Sequence, residues 1–225
     1  MLAELPEWVR PVAEYMLRVG LPETLRLAAV AVVGSTVIGI VLGTLITIRF
    51  LPLRALVRTY IEIWRGLPIV VTIFLIYYAL PNAPAIPQLG RFQGAAIGLT
   101  LWGSAQVAEA TRGAVQSIPR EQHEASAALG FGWVGRHRSV ILPQALRRLL
   151  PPLVGLLANV IQNTTIASLI GVTELLATGQ QSIERLQFTS PESHAFAIYT
   201  AVLAGFFLIS FPLTRLAIFL ERRLV

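Results

Sequence analysis

Residues 27–48 read LAAVAVVGSTVIGIVLGTLITI, a run of 22 residues without a charge that lies between Arg26 and Arg49. As an α-helix, this run extends about 33 Å, because each residue adds about 1.5 Å along the axis. The hydrocarbon core of a bilayer is about 30 Å thick, so the run is long enough to cross it. The sequence therefore predicts a transmembrane helix at about residues 24–48.

The composition of the whole chain indicates that lipid is its main solvent. Of its 225 residues, 55% are hydrophobic and only 13% are charged, whereas soluble domains carry about 25% charged residues. Four more apolar stretches of spanning length follow the first one. We therefore predict an all-α integral membrane protein with five transmembrane helices, at about residues 24–48, 60–80, 92–115, 149–171 and 195–219.

The distribution of arginine predicts how these helices are oriented. Cytosolic loops carry an excess of basic residues, and thirteen of the 18 arginines fall on one side of the predicted topology. That side holds Arg49, Arg54, Arg58, Arg65, Arg112, Arg120, Arg136, Arg138, Arg147, Arg148, Arg215, Arg222 and Arg223. The other side holds Arg10, Arg18, Arg26, Arg91 and Arg185. We therefore expect the N-terminus outside the cytosol and the C-terminus inside it.

Residues 1–22 form a predicted amphipathic segment on the outer side, before a single transmembrane domain at 23–225. Apolar side chains such as Trp8, Val12 and Tyr15 recur at helical spacing, and charged residues occupy the other face. We expect this helix to end at Gly20 and Pro22. Such a helix could lie on the membrane surface or pack against the helix bundle, and the sequence leaves both interpretations open.

Several kinds of chemistry are excluded by the residue types that the chain lacks. It has no Cys, no Lys and no Asp, and only three histidines: His123, His137 and His194. A standard phosphate-binding loop needs a lysine, and thiol chemistry needs a cysteine. No histidine lies in a predicted span to serve as the base of an intramembrane serine protease. We therefore predict no catalytic site and no metal site.

The long loop at residues 117–148 is the most informative part of the chain. It reads SIPREQHEASAALGFGWVGRHRSVILPQALRR, with five arginines and three glycines, so we place it outside the membrane. Residues 122–129 favour a helix that stops at Gly130 and Gly132. A second short helix is predicted at 133–140, before a break at Pro143. The small residues of the first helix could form a docking surface, or the loop could be a simple capped connector.

The same loop resembles the signature of bacterial ATP-binding-cassette (ABC) importer permeases. That signature is Glu-Ala-Ala, three residues, Gly, nine residues, and Ile-any-Leu-Pro; this chain has Glu-Ala-Ser at 124–126, Gly at 130 and Val-Ile-Leu-Pro at 140–143. In the family this loop is the coupling helix, which fits a groove on the cytosolic ATPase. The resemblance therefore implies that the ATPase-coupling residues are Glu124, Ala125, Ser126, Gly130 and Pro143.

The resemblance extends over about residues 21–225 and points to the branch that carries polar amino acids. The run YIEIWRGLP at 60–68 and the run ASLIGV at 167–172 are similar to segments of that branch. The resemblance implies a permease of the bacterial cytoplasmic (inner) membrane that works by alternating access. The implied partners are a cytosolic ABC ATPase, which binds ATP and Mg²⁺, an extracytoplasmic solute-binding protein, and a second permease subunit, identical or different.

Polar residues inside the predicted spans are candidates for the substrate pathway, because they are costly in lipid and usually face a cavity or another helix. Glu62 with Arg65, and Glu109 with Arg112, are spaced one helical turn apart and could simply pair. A polar stripe in the fourth span could serve helix–helix hydrogen bonding as well as transport. The candidate pathway residues are Gln106, Glu109, Asn159, Gln162, Asn163 and Thr164.

A gradient-driven secondary transporter or channel subunit is the main alternative function. Secondary transporters often consist of paired repeats, and no repeat is visible in this sequence. Five helices also make a poor closed pathway, so a dimer is expected under either interpretation. Dependence of transport on ATP rather than on an ion gradient would separate the two.

Overall fold

The computed structural model describes residues 6–48, 50–82, 87–189 and 192–224, and their helices are joined by short turns, with no strand among them. Residues 1–5 of the outer segment, Arg49, Pro84, Pro191 and Val225 lie outside this part of the chain. The α-helices are α1 (Val9–Tyr15), α2 (Leu21–Leu45), α3 (Leu51–Gly66), α4 (Ile69–Phe74), α5 (Arg91–Gln116), α6 (Arg120–Ala128), α7 (Trp133–Arg136), α8 (Leu142–Gln162), α9 (Leu175–Gln187) and α10 (Ala195–Leu224).

Helix α5 is the centre of the bundle and packs against α2, α3, α4 and α8. Its side chains Leu99 and Val107 are fully buried. Small residues let α2 come very close to it: an added Cβ at Gly43 would lie 2.3 Å from the carbonyl oxygen of Ala108. In membranes such small-residue contacts drive helix association, because apolar side chains gain little by leaving lipid.

Among the described residues, three continuous helices are long and apolar enough to cross a membrane: Val9–Leu45, Trp133–Ile170 and Ala195–Arg223. They contain the predicted first, fourth and fifth spans. The predicted third span corresponds to the single helix α5, which is not among these three. All-helical membrane architecture is therefore confirmed, with three spans by this measure, or four when a bent pair of helices is included.

The predicted second span, residues 60–80, is wrong as a continuous helix. The chain instead forms α3 and a second helical segment, Ile69–Ala79, which meet at an angle of 109°. Pro68 causes the break, because a proline disfavours helical backbone in the residue before it. Leu67 is accordingly extended, with φ −83° and ψ 136°.

The predicted helix ends at Gly20–Pro22 and at Pro143 are also wrong, because the helices continue through both prolines. A π-helical turn precedes each proline, at Met16–Gly20 and at His137–Ile141. A proline within a helix provides no N–H and displaces the carbonyl four residues earlier, and the wider π turn accommodates this. The predicted second short helix of the 117–148 loop is therefore the beginning of the helix that contains α8.

Helix α1 packs against α9, a helix between the predicted fourth and fifth spans that the sequence analysis did not identify. Trp8 and Val12 join a core of Met16, Leu175 and Ile183, among others. The Tyr15 hydroxyl donates a 2.6 Å hydrogen bond to Gln181 Oε1. Of the two interpretations of this segment, the structure shows its apolar face packed on the protein.

Glu174 forms the N-cap of α9 and is fully buried. Its carboxylate accepts hydrogen bonds from the backbone N–H groups of Leu176 (2.9 Å) and Ala177 (2.7 Å). Burial raises the pKa of Glu174 from 4.5 to about 7, although the two N–H groups oppose the shift. Glu174 lies in the connection before α9. Because its pKa is raised, its carboxyl group is protonated more readily in the folded chain than in the unfolded chain.

We expect the contribution of Glu174 to stability to fall as pH rises from 4.5 towards 7, because Glu174 loses its proton at lower pH in the unfolded chain than in the folded chain. The full loss is on the order of 3 kcal/mol. In Glu174→Gln this pH dependence should disappear. Thermal unfolding in detergent at several pH values measures it, with the exposed Glu184→Gln as the matched control. A Glu174→Gln profile parallel to that of the wild type would contradict the assignment.

Candidate ATPase-coupling face and substrate pathway

Helix α6 lies at the end of the bundle where α2 and α5 finish, which we call the α6 end. The helix begins after Pro119, whose fixed backbone suits a helix start. Its polar surface carries Glu124, which forms a 2.7 Å ion pair with Arg120. Arg148 of α8 donates hydrogen bonds to the carbonyl and hydroxyl oxygens of Ser117. The short connection before α6 is thereby fixed to the bundle.

Gly130 ends α6 in a left-handed conformation with φ +81°. The N–H of Gly130 donates to the carbonyl of Ala127 (2.9 Å), and the N–H of Phe131 donates to the carbonyl of Ser126 (3.1 Å). This pair of bonds is the Schellman motif, which strongly favours glycine at its left-handed position. The helix stop predicted at Gly130 is therefore present, and its geometry requires that residue.

The exposed face of α6 is apolar and small at its centre. Ala125 and Ala128 are exposed, and the neighbouring Leu129 is 78% exposed. Ser126 points the other way: it is 2% exposed and its hydroxyl bonds to the carbonyls of Gln122 and His123. A partner can therefore reach Glu124, Ala125 and the Gly130 turn, but not the Ser126 side chain. Pro143 is exposed near the start of α8.

A charged network joins α3 to α5. Glu109 accepts two hydrogen bonds from Arg112, at 3.1 Å and 2.5 Å. It also lies 3.8 Å from Arg65, whose Nε donates to Gln106 at 3.4 Å. The possible Glu62–Arg65 pair is not formed, because Glu62 instead pairs with Arg58 at 2.7 Å. The structure thus brings Gln106 and Glu109 together and adds Arg65, which sequence spacing could not place there.

The polar stripe of α8 lies elsewhere, beside α10. Asn159 and Gln162 are exposed and line a cleft of about 400 Å³ with Thr214 and Glu221. The side chains of Asn159, Gln162 and Asn163 have no hydrogen-bond partner within the described residues. Amide groups in lipid need such partners, which a second subunit or water must supply.

Thr164 differs from the rest of the stripe. It is fully buried and donates to the carbonyl of Ile161 at 2.7 Å. It belongs to the eight-residue 3₁₀ segment Asn163–Ile170, which follows α8 and ends at Gly171 with φ +81°. A 3₁₀ run of this length is unusual. The candidate pathway residues therefore form two separate groups, and Thr164 belongs to the protein interior.

A membrane-embedded helical bundle with a small, capped helix at one end is the arrangement expected of a permease from the resemblance in the 117–148 loop. The pattern of the family described as binding-protein-dependent transport system inner membrane component matches residues 35–225. Because this match covers most of the sequence, the chain belongs to that family. It is an inner-membrane component, and the family is that of the permease subunit rather than of the ATPase.

Curated relatives give the same classification. A probable amino-acid ABC transporter permease protein, PatM of Vibrio harveyi, is 34% identical over 202 residues, which are 89% of this chain and 88% of that protein. The glutamine transport system permease protein GlnP of Escherichia coli K12 is 36% identical over 205 residues, 91% of each. The chain is the membrane-spanning subunit of an ABC importer, and none of these relatives supports a gradient-driven carrier.

Solved structures agree with this assignment. A crystal structure of an amino acid ABC transporter with histidines superimposes with a TM-score of 0.81 at 26% identity, over 98% of this chain and 100% of that chain. An inward-facing structure of the MetNI methionine ABC transporter superimposes with a TM-score of 0.77 at 21% identity, over 98% of this chain and 100% of that chain. At that identity the second likeness shows the fold alone.

Proposed function

We propose that this chain carries a polar amino acid across the inner membrane by alternating access, driven by ATP hydrolysis in a partner subunit. The names of the relatives, which refer to amino acids and glutamine, support this substrate class. The partner ATPase would bind ATP and Mg²⁺, because this chain has no lysine for a standard phosphate-binding loop. An extracytoplasmic binding protein and a second permease subunit would complete the importer.

The observation that carries the proposal is the exposed face of α6. The face combines small side chains at its centre with the fixed left-handed turn at Gly130, and it is held to the bundle through Ser117 and Arg148. A surface that is small, rigid and connected directly to α5 and α8 can transmit movement of a docked ATPase to the spans. Glu124, Ala125 and Gly130 would make this contact, and Ser126 would support it from behind.

The proposed topology has five crossings, with the N-terminus outside and the C-terminus in the cytosol. The bent pair α3–α4 supplies the second crossing, and α5, about 39 Å long at about 1.5 Å per residue, supplies the third. Arg18, Arg26 and Arg91 line one cleft with Gly171, whereas Thr47, Gln116 and Arg120 line another. This grouping supports the predicted assignment of the loops to two sides. Residues 1–22 are then the outer segment and residues 23–225 the transmembrane domain.

We place the substrate pathway along the two polar groups. A zwitterionic amino acid offers a carboxylate and an ammonium group, and the network of Arg65, Gln106, Glu109 and Arg112 presents partners for both. Asn159, Gln162 and Asn163 would face the second permease subunit, which would supply the partners that their amides lack among the described residues. Thr164 would hold the 3₁₀ segment in place rather than touch substrate.

Uptake by the reconstituted complex tests this function. The chain is purified with its co-expressed ATPase, placed in proteoliposomes with the binding protein, and given radiolabelled amino acids. Uptake of a polar amino acid that needs internal ATP and survives collapse of ion gradients is the expected result. Uptake that follows a proton or sodium gradient without ATP would overturn the proposal.

Glu109→Gln should reduce this uptake by about tenfold or more, since a hydrogen bond to a charged group contributes about 1.5 kcal/mol or more. The amide keeps the shape of the carboxylate but cannot balance Arg65 and Arg112. Glu14→Gln, which removes an exposed carboxylate paired with Arg18 at 2.9 Å, is the matched control. Normal uptake by Glu109→Gln would remove this network from the pathway.

A further inference from the structure

A cleft of about 810 Å³ opens at the α6 end of the bundle. Four separate parts of the chain form it: the end of α2 at Thr47, the following Phe50, the end of α5 with α6, and the helix turn at Trp133–His137. The cleft lies beside the exposed face of α6 and shares Glu124 with it, but its other α6 walls are His123 and Ala127 rather than Ala125. Neither the coupling face nor the proposed pathway accounts for it.

The charge lining this cleft is positive and poorly balanced. Arg120, Arg136, His123 and His137 face a single carboxylate, Glu124, which is already paired with Arg120 at 2.7 Å. Arg136 takes part in none of the ion pairs in the described part of the chain. The Nε atom of Arg136 and the Nε1 atom of Trp133 are buried donors without an acceptor among the described residues. A buried N–H donor without an acceptor is costly.

His137 is bonded in a way that suits its charged form. Its Nδ1 lies 2.9 Å from the carbonyl oxygen of Trp133, which can only accept, so Nδ1 carries a hydrogen. Its Nε2 lies 3.2 Å from the Thr47 hydroxyl, which donates its own hydrogen to the carbonyl of Thr44 at 2.7 Å. Both contacts are satisfied together only when Nε2 also carries a hydrogen.

The surrounding charges oppose that form. Burial lowers the pKa of His137, and the nearby His123 and Arg136 lower it further, against the bond to Trp133. Burial and Arg136 likewise lower the pKa of His123. A negative group in the cleft would remove this opposition. It would stabilise the imidazolium form of His137, whose hydrogen bonds are already in place.

The rim of the cleft is apolar. Phe50 is 62% exposed, and Val134, on the turn beside the cleft, is 69% exposed. In the proposed topology this rim lies where the cytosolic leaflet meets water. A ligand that suits both the charged interior and the apolar rim has an anionic head and apolar chains. Basic pockets at this level between membrane helices bind the head groups of anionic lipids.

We infer that this cleft binds a phosphate group, supplied by the head group of an anionic phospholipid of the cytosolic leaflet. Arg136 is its main charged contact, and Trp133 and His123 supply further donors once their side chains turn into the cleft. The inference rests on the proposed orientation of the chain but on no property of the ATPase or of transport. The lipid would fix the helix turn after Gly130 to the membrane and so hold α6 at a constant distance from the membrane surface.

Histidine titration tests this inference, because the chain has only three histidines. The chain is labelled at histidine, placed in nanodiscs of phosphatidylcholine with or without phosphatidylglycerol, and titrated by NMR. His194, which stacks on Trp8 at the opposite end of the bundle, reports the general surface potential. We expect phosphatidylglycerol to move the midpoints of His123 and His137 to higher pH by more than that of His194.

Variants at the cleft complete the test. Arg136→Gln should abolish this difference and Trp133→Phe should reduce it. Arg136→Gln should also retain phosphatidylglycerol about fivefold less well in native mass spectrometry, the size expected for one basic residue. Arg138→Gln, two residues away and outside the cleft, should behave as wild type. Equal shifts at all three histidines, or equal effects of Arg136→Gln and Arg138→Gln, would overturn the inference. A shift produced by inorganic phosphate in phosphatidylcholine discs, but not by phosphatidylglycerol, would overturn the lipid assignment.

Discussion

Gly130→Val is expected to reduce ATP-driven uptake by about tenfold or more, because left-handed backbone costs a residue with a Cβ about 1–2 kcal/mol, and a β-branched residue more. The turn must then open, and the two hydrogen bonds that close α6 are lost. The docking face changes while the spans remain intact. ATP hydrolysis by the partner should continue but no longer drive transport, which uptake and hydrolysis assays on the same proteoliposomes measure.

Gly132→Val provides the control two residues away. Gly132 has an ordinary extended backbone, with φ −65° and ψ 175°, and an added Cβ would meet nothing within 4 Å there, as at Gly130. The two variants therefore add the same side chain to open space and differ in backbone conformation. Equal uptake by the two variants would show that the geometry of the Gly130 turn does not matter for coupling.

Gly43→Ala is expected to destabilise the bundle strongly. The new Cβ would lie 2.3 Å from the carbonyl oxygen of Ala108 and 2.5 Å from Thr111 Cβ. Backbone cannot move aside as a flexible side chain can, so α2 and α5 must separate. Overpacking of this kind costs about 1–3 kcal/mol or more, and a lower melting temperature in detergent with poor recovery of folded protein would measure it.

Gly113→Ala is the matched control, because Gly113 is also helical but an added Cβ would meet nothing within 4 Å. Alanine is a better helix former than glycine, so this variant should gain about 0.5–1 kcal/mol. If both variants melt at the wild-type temperature, that result would contradict the close contact between α2 and α5 at Gly43.

The long apolar helices could be predicted because length and hydrophobicity alone decide them. The break at Pro68 was missed because the apolar stretch was treated as one span, although the proline itself was visible. The opposite error occurred at Pro22 and Pro143, where glycine and proline suggested helix ends. Whether a proline breaks a helix or is absorbed by a π turn depends on the packing around it, which local sequence does not contain.

The candidate sites show the same limit. The position and the stop of α6 follow from local sequence, since Gly130 is needed by its own backbone angle. The inward direction of Ser126 depends on how α6 sits on the bundle, and the contact of Arg65 with Glu109 joins residues 44 positions apart. Helix α9 was not predicted, and its N-cap, Glu174, is not one of the residue types that usually mark a helix start.

The most direct test of the account is a cross-link between α6 and the ATPase, made possible by the absence of cysteine from this chain. Ala125→Cys places a thiol on the exposed face, whereas Ser126→Cys, one residue later, places it in the protein interior. The complex is purified in mild detergent and treated with a short cross-linker that joins the introduced thiol to a nearby amine of the ATPase. Cross-linking of the co-purified ATPase at position 125 and not at 126 is the predicted result. No cross-link at position 125, or equal cross-linking at both positions, would contradict the proposal that this face of α6 couples the permease to ATP hydrolysis.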